Sequence, residues 1–393
     1  MEKIKKILQS QNIKQDLAKF LMIVGIWLRG RGLDSPLCPG EMLTINISRL
    51  PLPYLLKASW ITSTPPLSYL IIKPFSWLEN APWLARIPSL LFSILALAVV
   101  WEMIDDWGVT DNQRLWISGL TLLPGFYWMA QDARAYAMLG LLYLISAWLM
   151  QGGQYRWAVV TMTLMIWTHP SGVILTISLV LVCLIRDWLI MGLLSIREIF
   201  KTTARITTLA GLAALLIGAP ALLPILARPV LEQSVSGGHY LSSIYTAAFV
   251  GTAPAVGLVV FVFYLLEGLA VLYVTTSDWM AYIKEGPQQK IPDDVVVASG
   301  LLVIIPAILM IIVSVLTRSR LLYGPLMPLL YPLIIWVGSS TAIKEFKPHK
   351  LIAPALLAAL LIYSNIIWDP GIKGADLFQP LEPMTVEIWE VEQ

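Results

Sequence analysis

The chain has 393 residues, of which 57% are hydrophobic and only 13% are charged, and its mean hydropathy is +0.73. About a quarter of the residues of a soluble domain are charged, so this composition excludes a protein whose whole surface faces water. The net charge of +2 gives no indication of a nucleic-acid partner. The 16 Trp and 14 Tyr are typical of a protein with many membrane–water interfaces. We therefore expect an integral membrane protein.

Long apolar runs separated by polar segments predict an all-α fold, that of a polytopic membrane protein with about eleven transmembrane helices. A short apolar stretch near 20–28 lacks a cleavage pattern of small residues, which favours a retained first span over a signal peptide. Residues 157–169 and 171–185 form either two spans or two half-helices broken at Pro170, because proline removes a backbone donor. The predicted helices cover residues 17–30, 87–104, 114–130, 134–150, 157–169, 171–185, 207–227, 255–275, 296–316, 322–341 and 351–367.

The distribution of Lys and Arg predicts the orientation of the chain in the membrane. The basic clusters at 186–205 and 344–350 fall on the same side as the basic N-terminal tail, and the acidic tail after Asp369 falls on the other side. We therefore expect a bacterial inner-membrane protein with a cytoplasmic N-terminus and an outer C-terminus. Cys38 and Cys183 would then lie in different environments, one outside and one within a span, so we expect no disulfide and no metal cluster.

Residues 31–86 form the longest outer loop of this topology. Within it, the sequences PGEMLTINISRL and PPLSYLIIKPFSWLE each predict a short helix. The second is too short to span and carries Lys73 in its middle, which favours an interfacial helix on the outer leaflet. The positive charge of Lys73 suits contact with anionic lipid. Because long loops in compact proteins are usually functional, we expect the working surface of the protein here.

Several short motifs follow one another in a familiar order. A short first span precedes the large outer loop, whose two juxtamembrane helices are followed by the second span. The motifs are Thr-Pro-Pro-Leu-Ser-Tyr at 64–69, Arg-Ile-Pro-Ser at 86–89, Gln-Asp-Ala-Arg-Ala-Tyr at 131–136, Thr-His at 168–169 and Arg-Ser-Arg-Leu-Leu at 318–322. Together these features resemble the GT-C superfamily of membrane glycosyltransferases, close to the branch of the protein mannosyltransferases and lipid A aminoarabinose transferases.

The resemblance implies an enzyme that takes a sugar from a polyprenyl-phosphate carrier and passes it to an acceptor on the outer face of the membrane. In the family, the first outer loop carries Trp-x-Asp-Glu, whose Asp is the catalytic carboxylate. Gly40 occupies that position in this chain, and Glu41 follows it as in the family. Thr64 stands where the family often has His before the two prolines.

Sugar transfer of this kind needs a base that deprotonates the acceptor and positive charge that stabilises the departing phosphate. The candidate bases are Glu41 and Asp34 in the outer loop, together with Asp132. Glu41 has a structural alternative, because a carboxylate in the first turn of a helix is stabilised by the helix dipole. Asp132 and Arg134 are either functional or interfacial anchors. They are two residues apart, so on one helix each would have its own partner.

Positive and aromatic side chains on the outer face are candidates for binding the substrate. Arg318 and Arg320 either hold the carrier phosphate with their planar forks of donors or extend as rim side chains. His169 has no second ligand at metal spacing, so it either binds substrate or makes a structural hydrogen bond. No cofactor is expected, and a dependence on a divalent metal stays open. The candidate substrate-binding residues are Arg134, Tyr136, His169, Arg318, Arg320 and Lys73.

Three functions are compatible with these observations. The first is an active glycosyltransferase whose partners are membrane lipids and a polyprenyl-phosphate-linked sugar. The second is a GT-C-shaped protein without catalysis, a subunit of a larger membrane complex, which Gly40 and Thr64 favour. The third is a transporter, which the lack of an inverted repeat disfavours. In the first two, residues 1–345 form the GT-C-like transmembrane domain with the outer loop 31–86, and residues 346–393 form the last transmembrane helix and an outer tail.

Overall fold

The computed structural model of the chain describes residues 11–62, 64–76, 81–190, 203–221, 294–316 and 326–339. All regular structure in these ranges is helical and no strand occurs in them, which confirms the all-α prediction for this part of the chain. Short 3-10 helices cover Lys73–Phe75, Ala219–Ala221 and Met327–Leu329. The α-helices, numbered in chain order, are α1 Gln11–Gly30, α2 Pro39–Arg49, α3 Leu52–Ile61, α4 Leu67–Ile72, α5 Pro82–Asp106, α6 Asp111–Leu120, α7 Pro124–Ala130, α8 Tyr136–Gln151, α9 Tyr155–Thr168, α10 Ser171–Ile190, α11 Thr203–Gly218, α12 Asp294–Leu316 and α13 Leu330–Gly338.

The predicted spans coincide with helical structure wherever the structure describes them. One of them is divided, because the predicted span 114–130 contains both α6 and α7. Pro124 opens α7, a position where the missing N–H of proline leaves no helical hydrogen bond unmade. The predicted spans 255–275 and 351–367 lie outside the described residues. The total of eleven spans therefore stays a prediction.

One described helix is long and apolar enough to cross a membrane by itself. It covers Trp83–Asp106, with 24 residues and a mean hydropathy of 2.1. Several other helices in the described ranges are apolar but shorter than a straight span requires. They cover Tyr136–Gln151, Ser171–Arg186, Arg205–Ala221, Val297–Val313 and Met327–Gly338.

The chain reverses direction between α9 and α10, at His169 and Pro170. Helix α11 packs against both helices, and the closest neighbours of a Cβ at Gly211 and Gly218 are Val180 and Ile166 respectively. Gly211 and Gly218 are seven residues apart in α11, which corresponds to about 10 Å along the helix. If α9 and α10 formed one continuous helix, Ile166 and Val180 would be about 21 Å apart. The two helices therefore lie side by side, which favours two separate helices over the halves of one broken span.

The outer loop folds onto the helical bundle. The predicted helix at its start is confirmed as α2, whereas α3 was not predicted. The predicted interfacial helix is shorter than expected, because α4 gives way to the 3-10 turn Lys73–Phe75 that contains Pro74. Helix α2 packs against α3 and α4, and α4 packs against α5 and α9. These contacts hold the loop over one end of the bundle.

Helix α8 lies at the centre of the bundle. It packs against α5, α9, α10 and α13, and 11 of its 16 residues are buried. A helix that is apolar on all sides is stable in the core of a large protein or within a membrane. The hydroxyl of Tyr143, halfway along α8, donates a hydrogen bond of 2.7 Å to the carbonyl oxygen of Leu302 in α12. The middle of α8 is thus connected to α12.

The outer faces of several helices are apolar, while polar side chains lie inside. Phe20, Ile23 and Trp27 are more than half exposed along one face of α1. On the inner side of the same helix, Arg29 is fully buried and donates through Nε to the hydroxyl of Ser93 at 2.9 Å. Water would disfavour a continuous apolar surface of this kind, whereas lipid would accept it. The pattern fits the membrane protein that composition predicts.

We expect Gly172→Ala to destabilise the full chain. An added Cβ would lie 2.3 Å from the carbonyl oxygen of Met165, a backbone atom that cannot rotate away. Overpacking of this kind costs about 1–3 kcal/mol, which would appear as a lower thermal midpoint in detergent. Gly30→Ala is the matched control, because a Cβ there meets no described atom within 4 Å. Equal thermal midpoints for the two variants would contradict the close approach of Gly172 to the backbone of Met165 in the turn between α9 and α10.

Candidate functional site

The first turn of α2 contains Gly40 and the predicted base Glu41. Cys38 precedes the helix, and Pro39 is its first residue, where the missing N–H of proline costs nothing. The carboxylate of Glu41 turns back, and its Oε2 accepts a hydrogen bond of 3.0 Å from the backbone N–H of Cys38. This is the acidic half of a capping box, which stabilises the start of a helix.

Both carboxylate oxygens of Glu41 are fully used. Oε1 accepts from Arg86 Nε at 2.8 Å and from the backbone N–H of Ala133 at 2.9 Å. Oε2 accepts from Arg86 Nη2 at 2.7 Å as well as from Cys38. A carboxylate has about four acceptor positions, so no lone pair is left for a substrate proton. Burial alone would raise the pKa of Glu41, but the hydrogen bonds and charge of Arg86 lower it overall. The geometry favours a positioning role over that of a base.

Arg86 gathers the outer loop around the start of α5. Its Nη1 donates to the carbonyl oxygens of Leu33 and Ser35, each at 2.7 Å. Its Nη2 donates to the carbonyl oxygen of Pro36 at 3.0 Å in addition to Glu41. The side chain is only 2% exposed, and a buried guanidinium requires partners for all of its donors. The loop carbonyls and Glu41 supply them, so the loop cannot leave α5 without exposing a charge to an apolar interior.

Asp132 and Arg134 pair with each other, which corrects the expectation that each has its own partner. Arg134 Nε lies 2.8 Å from Oδ1 of Asp132, and Arg134 Nη2 lies 2.6 Å from Oδ2. The expectation assumed a helix, whereas residues 131–135 form an irregular turn between α7 and α8. In a turn, side chains two residues apart can reach the same side. Burial raises the pKa of Asp132, although the positive charge of Arg134 opposes the shift.

Arg134 is held between aromatic rings and Gly40. Its Cζ lies 5.4 Å from the ring centre of Trp128 and 5.0 Å from that of Tyr136, within the range of a cation–π interaction. A Cβ on residue 40 would lie 3.2 Å from Nη1 of Arg134. Gly40 therefore leaves space for Arg134 beside the first turn of α2. Glu41, Arg86, Asp132 and Arg134 form one group of alternating charges, called the charged cluster below.

The exposed edge of the charged cluster lies at Arg134. The side chain of Arg134 is 23% exposed, whereas those of Glu41 and Asp132 are each 4% exposed. Cys38, beside the cluster, is partly exposed, and burial raises the pKa of its thiol to about 11. The thiol is therefore protonated at neutral pH and does not act as a nucleophile. A ligand that approaches this edge meets a positive charge first.

His169 lies at the aromatic side of the charged cluster. Its ring centre is 5.8 Å from that of Tyr136, so the two predicted binding residues are neighbours. Its Nδ1 lies 2.8 Å from the hydroxyl oxygen of Ser171 and accepts from the backbone N–H of Ser171 at 3.2 Å. These contacts are the structural hydrogen bonds that were one of its two predicted roles. Nε2 is left as the nitrogen through which His169 could meet a ligand.

The remaining predicted residues are not brought into the cluster. Asp34 is exposed in the turn after α1. Lys73 donates through Nζ to the backbone carbonyl oxygens of Ser48 and Leu50, and so connects the 3-10 turn to the end of α2. Arg318 and Arg320 lie outside the described residues. In the parts of the chain that the structure describes, no three metal-ligating side chains converge.

Two residues of the site were not predicted to act there. Arg86 was noted only as part of a motif that enters the second span, although a charge inside an apolar run is itself a signal of function. Gln131 was also noted only as part of a motif. Its amide Nε2 donates to the carbonyl oxygens of Leu28 at 3.3 Å and of Arg31, which satisfies carbonyl groups at the end of α1. Gln131 thus connects α1 to the turn that carries Asp132.

No protein-family model matches the chain, and no curated protein matches it in sequence. A solved structure is similar, the crystal structure of ArnT from Cupriavidus metallidurans bound to undecaprenyl phosphate, with a TM-score of 0.48 and 15% sequence identity. The similarity covers 89% of this chain and 63% of that chain. This chain therefore spans less than two thirds of the length of the structure that it matches.

We expect Glu41→Gln to lower the free energy of unfolding by about 3–5 kcal/mol, because it removes one charge of a buried ion pair and leaves Arg86 uncompensated. Asp105→Asn is the matched control. Asp105 pairs with Arg114, but its side chain is 44% exposed, so its loss should cost less than about 1 kcal/mol. Chemical denaturation in detergent would measure both values. Equal losses would show that the Glu41–Arg86 pair does not stabilise the fold.

The stability contributed by Glu41 should depend on pH. The pKa of Glu41 is lowered in the folded chain from its ordinary value of 4.5. On acidification the unfolded chain therefore takes up a proton before the folded chain does, and stability is lost as pH falls below 4.5. The same denaturation series at decreasing pH should show a steeper loss for the wild type than for Glu41→Gln. Parallel curves would contradict the lowered pKa.

Proposed function

We propose that this chain is a membrane glycosyltransferase that moves a sugar from a polyprenyl-phosphate donor to an acceptor on the outer face of the membrane. The observation that carries the proposal is the convergence of three motifs. The loop segment with Gly40 and Glu41, the span entry at Arg86, and the turn with Asp132 and Arg134 meet in one charged cluster. The span entry and the turn belong to the motifs that carry the resemblance to the GT-C superfamily, whereas the loop segment is where Gly40 departs from the family pattern, and the three are distant in the sequence.

The two buried carboxylates have different roles in this proposal. Glu41 and Arg86 position the loop, because all acceptor positions of Glu41 are occupied. Asp132 is the base. Its raised pKa makes this carboxylate a stronger base than an ordinary aspartate. Arg134 lies at the exposed edge and binds the donor phosphate, because a guanidinium presents two parallel donors to phosphate oxygens.

Binding of the donor also prepares the base. In the empty site Arg134 holds both oxygens of Asp132. A phosphate that draws the guanidinium toward itself removes this positive charge from the carboxylate and leaves its oxygens available. The pKa of Asp132 then rises further, since the charge of Arg134 is what opposes the effect of burial. The carboxylate becomes a stronger base only when the donor is present.

The reaction is a substitution at the anomeric carbon of the sugar. The acceptor hydroxyl forms the new C–O bond while the bond from the anomeric carbon to the phosphate oxygen breaks. The proton of the hydroxyl passes to Asp132, and the polyprenyl phosphate leaves with its negative charge stabilised by Arg134. Tyr136 and His169 line the aromatic side, where a sugar ring would pack. Arg318 and Arg320 are proposed as further positive charges toward the lipid phosphate, whereas the ammonium of Lys73 donates to the carbonyl oxygens at the end of α2.

The proposed setting is a bacterial inner membrane, with the N-terminus in the cytoplasm and with the loop 31–86 and the C-terminus outside. In this orientation the charged cluster lies at the outer surface, where a lipid-linked donor is accessible. Residues 1–345 form the catalytic transmembrane domain, and residues 346–393 add a last transmembrane helix and an outer tail. Membrane lipids and the polyprenyl-phosphate-linked sugar are the partners.

A second candidate function is that of an inactive GT-C-shaped subunit of a membrane complex. The observation that favours it is that both buried carboxylates are already paired, Glu41 with Arg86 and Asp132 with Arg134. Gly40 also leaves the position of the family's catalytic Asp without a side chain. In that case protein subunits are the partners, and the charged cluster stabilises the loop without reacting.

We expect the purified full chain to release polyprenyl phosphate from a polyprenyl-phosphate sugar, and Asp132→Asn to lower kcat by about a hundredfold to ten-thousandfold, the usual contribution of a general base. Because the pKa of Asp132 is raised, the loss of rate on acidification should begin above the ordinary aspartate value of 3.8. Asp105→Asn, at the far end of α5, is the control. Full activity of Asp132→Asn would remove Asp132 from the role of base.

Gly40→Asp distinguishes the two candidate functions. The new carboxylate would lie beside Arg134, because a Cβ at this position is 3.2 Å from Nη1. If the wild-type chain is an inactive subunit, we expect no turnover from it, co-purification with a partner in mild detergent, and a gain of donor cleavage in Gly40→Asp. If the chain is an enzyme, the added carboxylate should compete for Arg134 and lower kcat. Turnover by the wild type would contradict the inactive subunit.

A further inference from the structure

A pocket lies at the end of the bundle opposite to the charged cluster. Its volume is about 240 Å³, and it is lined by the ends of α5, α8 and α10 and by the start of α12. Arg86 and Asp106 lie near the two ends of α5, about 30 Å apart along the helix. This distance equals the thickness of the hydrocarbon core of a bilayer. If the charged cluster is at one membrane surface, the pocket is at the other.

The side chains that line the pocket carry both charges and two indole rings. Asp106 and Arg186 supply the negative and the positive charge, and Trp107 and Trp148 supply the rings. The indole Nε1 of Trp148 donates a hydrogen bond of 2.8 Å to Oδ2 of Asp106, which orients the ring and the carboxylate together. A carboxylate beside indole rings is the usual environment for a bound ammonium group.

A donor without a partner also lines the pocket. The amide nitrogen Nε2 of Gln151, at the end of α8, is buried and has no hydrogen-bond partner among the described residues. A buried donor of this kind costs free energy unless a ligand or water satisfies it. Together with Arg186 it gives the pocket donors for an anion, while Asp106 is the acceptor for a cation. The lining therefore complements a ligand with one charge of each sign.

The size of the pocket limits the ligand. A water molecule occupies about 30 Å³ in the liquid, so 240 Å³ corresponds to about eight waters. Pockets for drug-sized ligands begin at about 300 Å³. The space is thus right for a small head group rather than for a complete sugar nucleotide or a long chain.

We propose that this pocket binds a zwitterionic phosphate–ammonium group, the head group of an aminoalkyl phospholipid. The ammonium lies against Asp106 and the two indole rings, and the phosphate meets Arg186 and the Gln151 amide. The location at a bilayer surface rests on the membrane setting of the proposed function, whereas sugar transfer does not enter the argument. The pocket is a lipid-binding site separate from the charged cluster.

The test is native mass spectrometry of the full chain, delipidated in detergent and then mixed with equal amounts of phosphatidylethanolamine and phosphatidylglycerol. We expect phosphatidylethanolamine to be retained in preference, because only it carries the ammonium. Asp106→Asn should lower its retention by about tenfold, since the amide still accepts from Trp148 but carries no charge. Asp105→Asn is the matched control, because Asp105 is the preceding residue and pairs with Arg114 outside the pocket.

A second arm distinguishes the two sources of the head group. If free phosphoethanolamine displaces the bound lipid, the site recognises the head group alone. If the lipid stays bound in the presence of free phosphoethanolamine, the site recognises the intact lipid. Equal retention of the two lipids by the wild type, or unchanged retention in Asp106→Asn, would overturn the proposal. The experiment measures bound lipid and not sugar transfer. The lipid site can therefore be confirmed in a chain that has no transferase activity, and its failure would leave the proposed transferase activity untouched.

Discussion

The buried ion pair between Glu41 and Arg86 is the interaction on which the charged cluster and the loop around it depend. Burying either charged side chain without the other would cost on the order of 3–5 kcal/mol. Together, the two side chains use nearly all of their hydrogen-bonding capacity. The remaining bonds reach the backbone of the loop and of the turn at Ala133. Three segments are therefore held by two side chains, and the positions of Gly40, Asp132 and Arg134 are fixed as a consequence.

From α1 to α11, the helices carry large apolar side chains on exposed faces, while several polar side chains are buried between the helices. In water such an arrangement would be unstable, because the exposed stripes of leucine and aromatic side chains would associate. In a bilayer the apolar outer surface is solvated by lipid tails, and the internal hydrogen bonds hold the helices together. Arg29 shows the principle, because its fully buried side chain donates to Ser93 of α5 and to the backbone of Gly25.

The sequence predicted helices better than it predicted contacts. Apolar runs located α5, α8, α10 and α12, because the length and composition of a helix are local properties. The pairing of Asp132 with Arg134 was missed, because it depends on an irregular turn that helical spacing does not describe. The role of Arg86 was missed because its six hydrogen bonds involve residues about 50 positions away, and the motif gave no indication of their geometry. Glu41 was found, and only the structure shows that its acceptor positions are occupied, which favours the structural one of its two predicted roles.

The contacts of Gln131 impose an order of events on a chain that is made from its N-terminus. Its amide binds the carbonyl of Arg31, which is separated from it by 100 positions. Protein synthesis adds about 5 to 20 residues per second, so Gln131 is made roughly 5–20 s after Arg31. Arg86 reaches Glu41 sooner, since only 45 positions separate them. The Glu41–Arg86 pair can thus form before Gln131 is present to bind the end of α1.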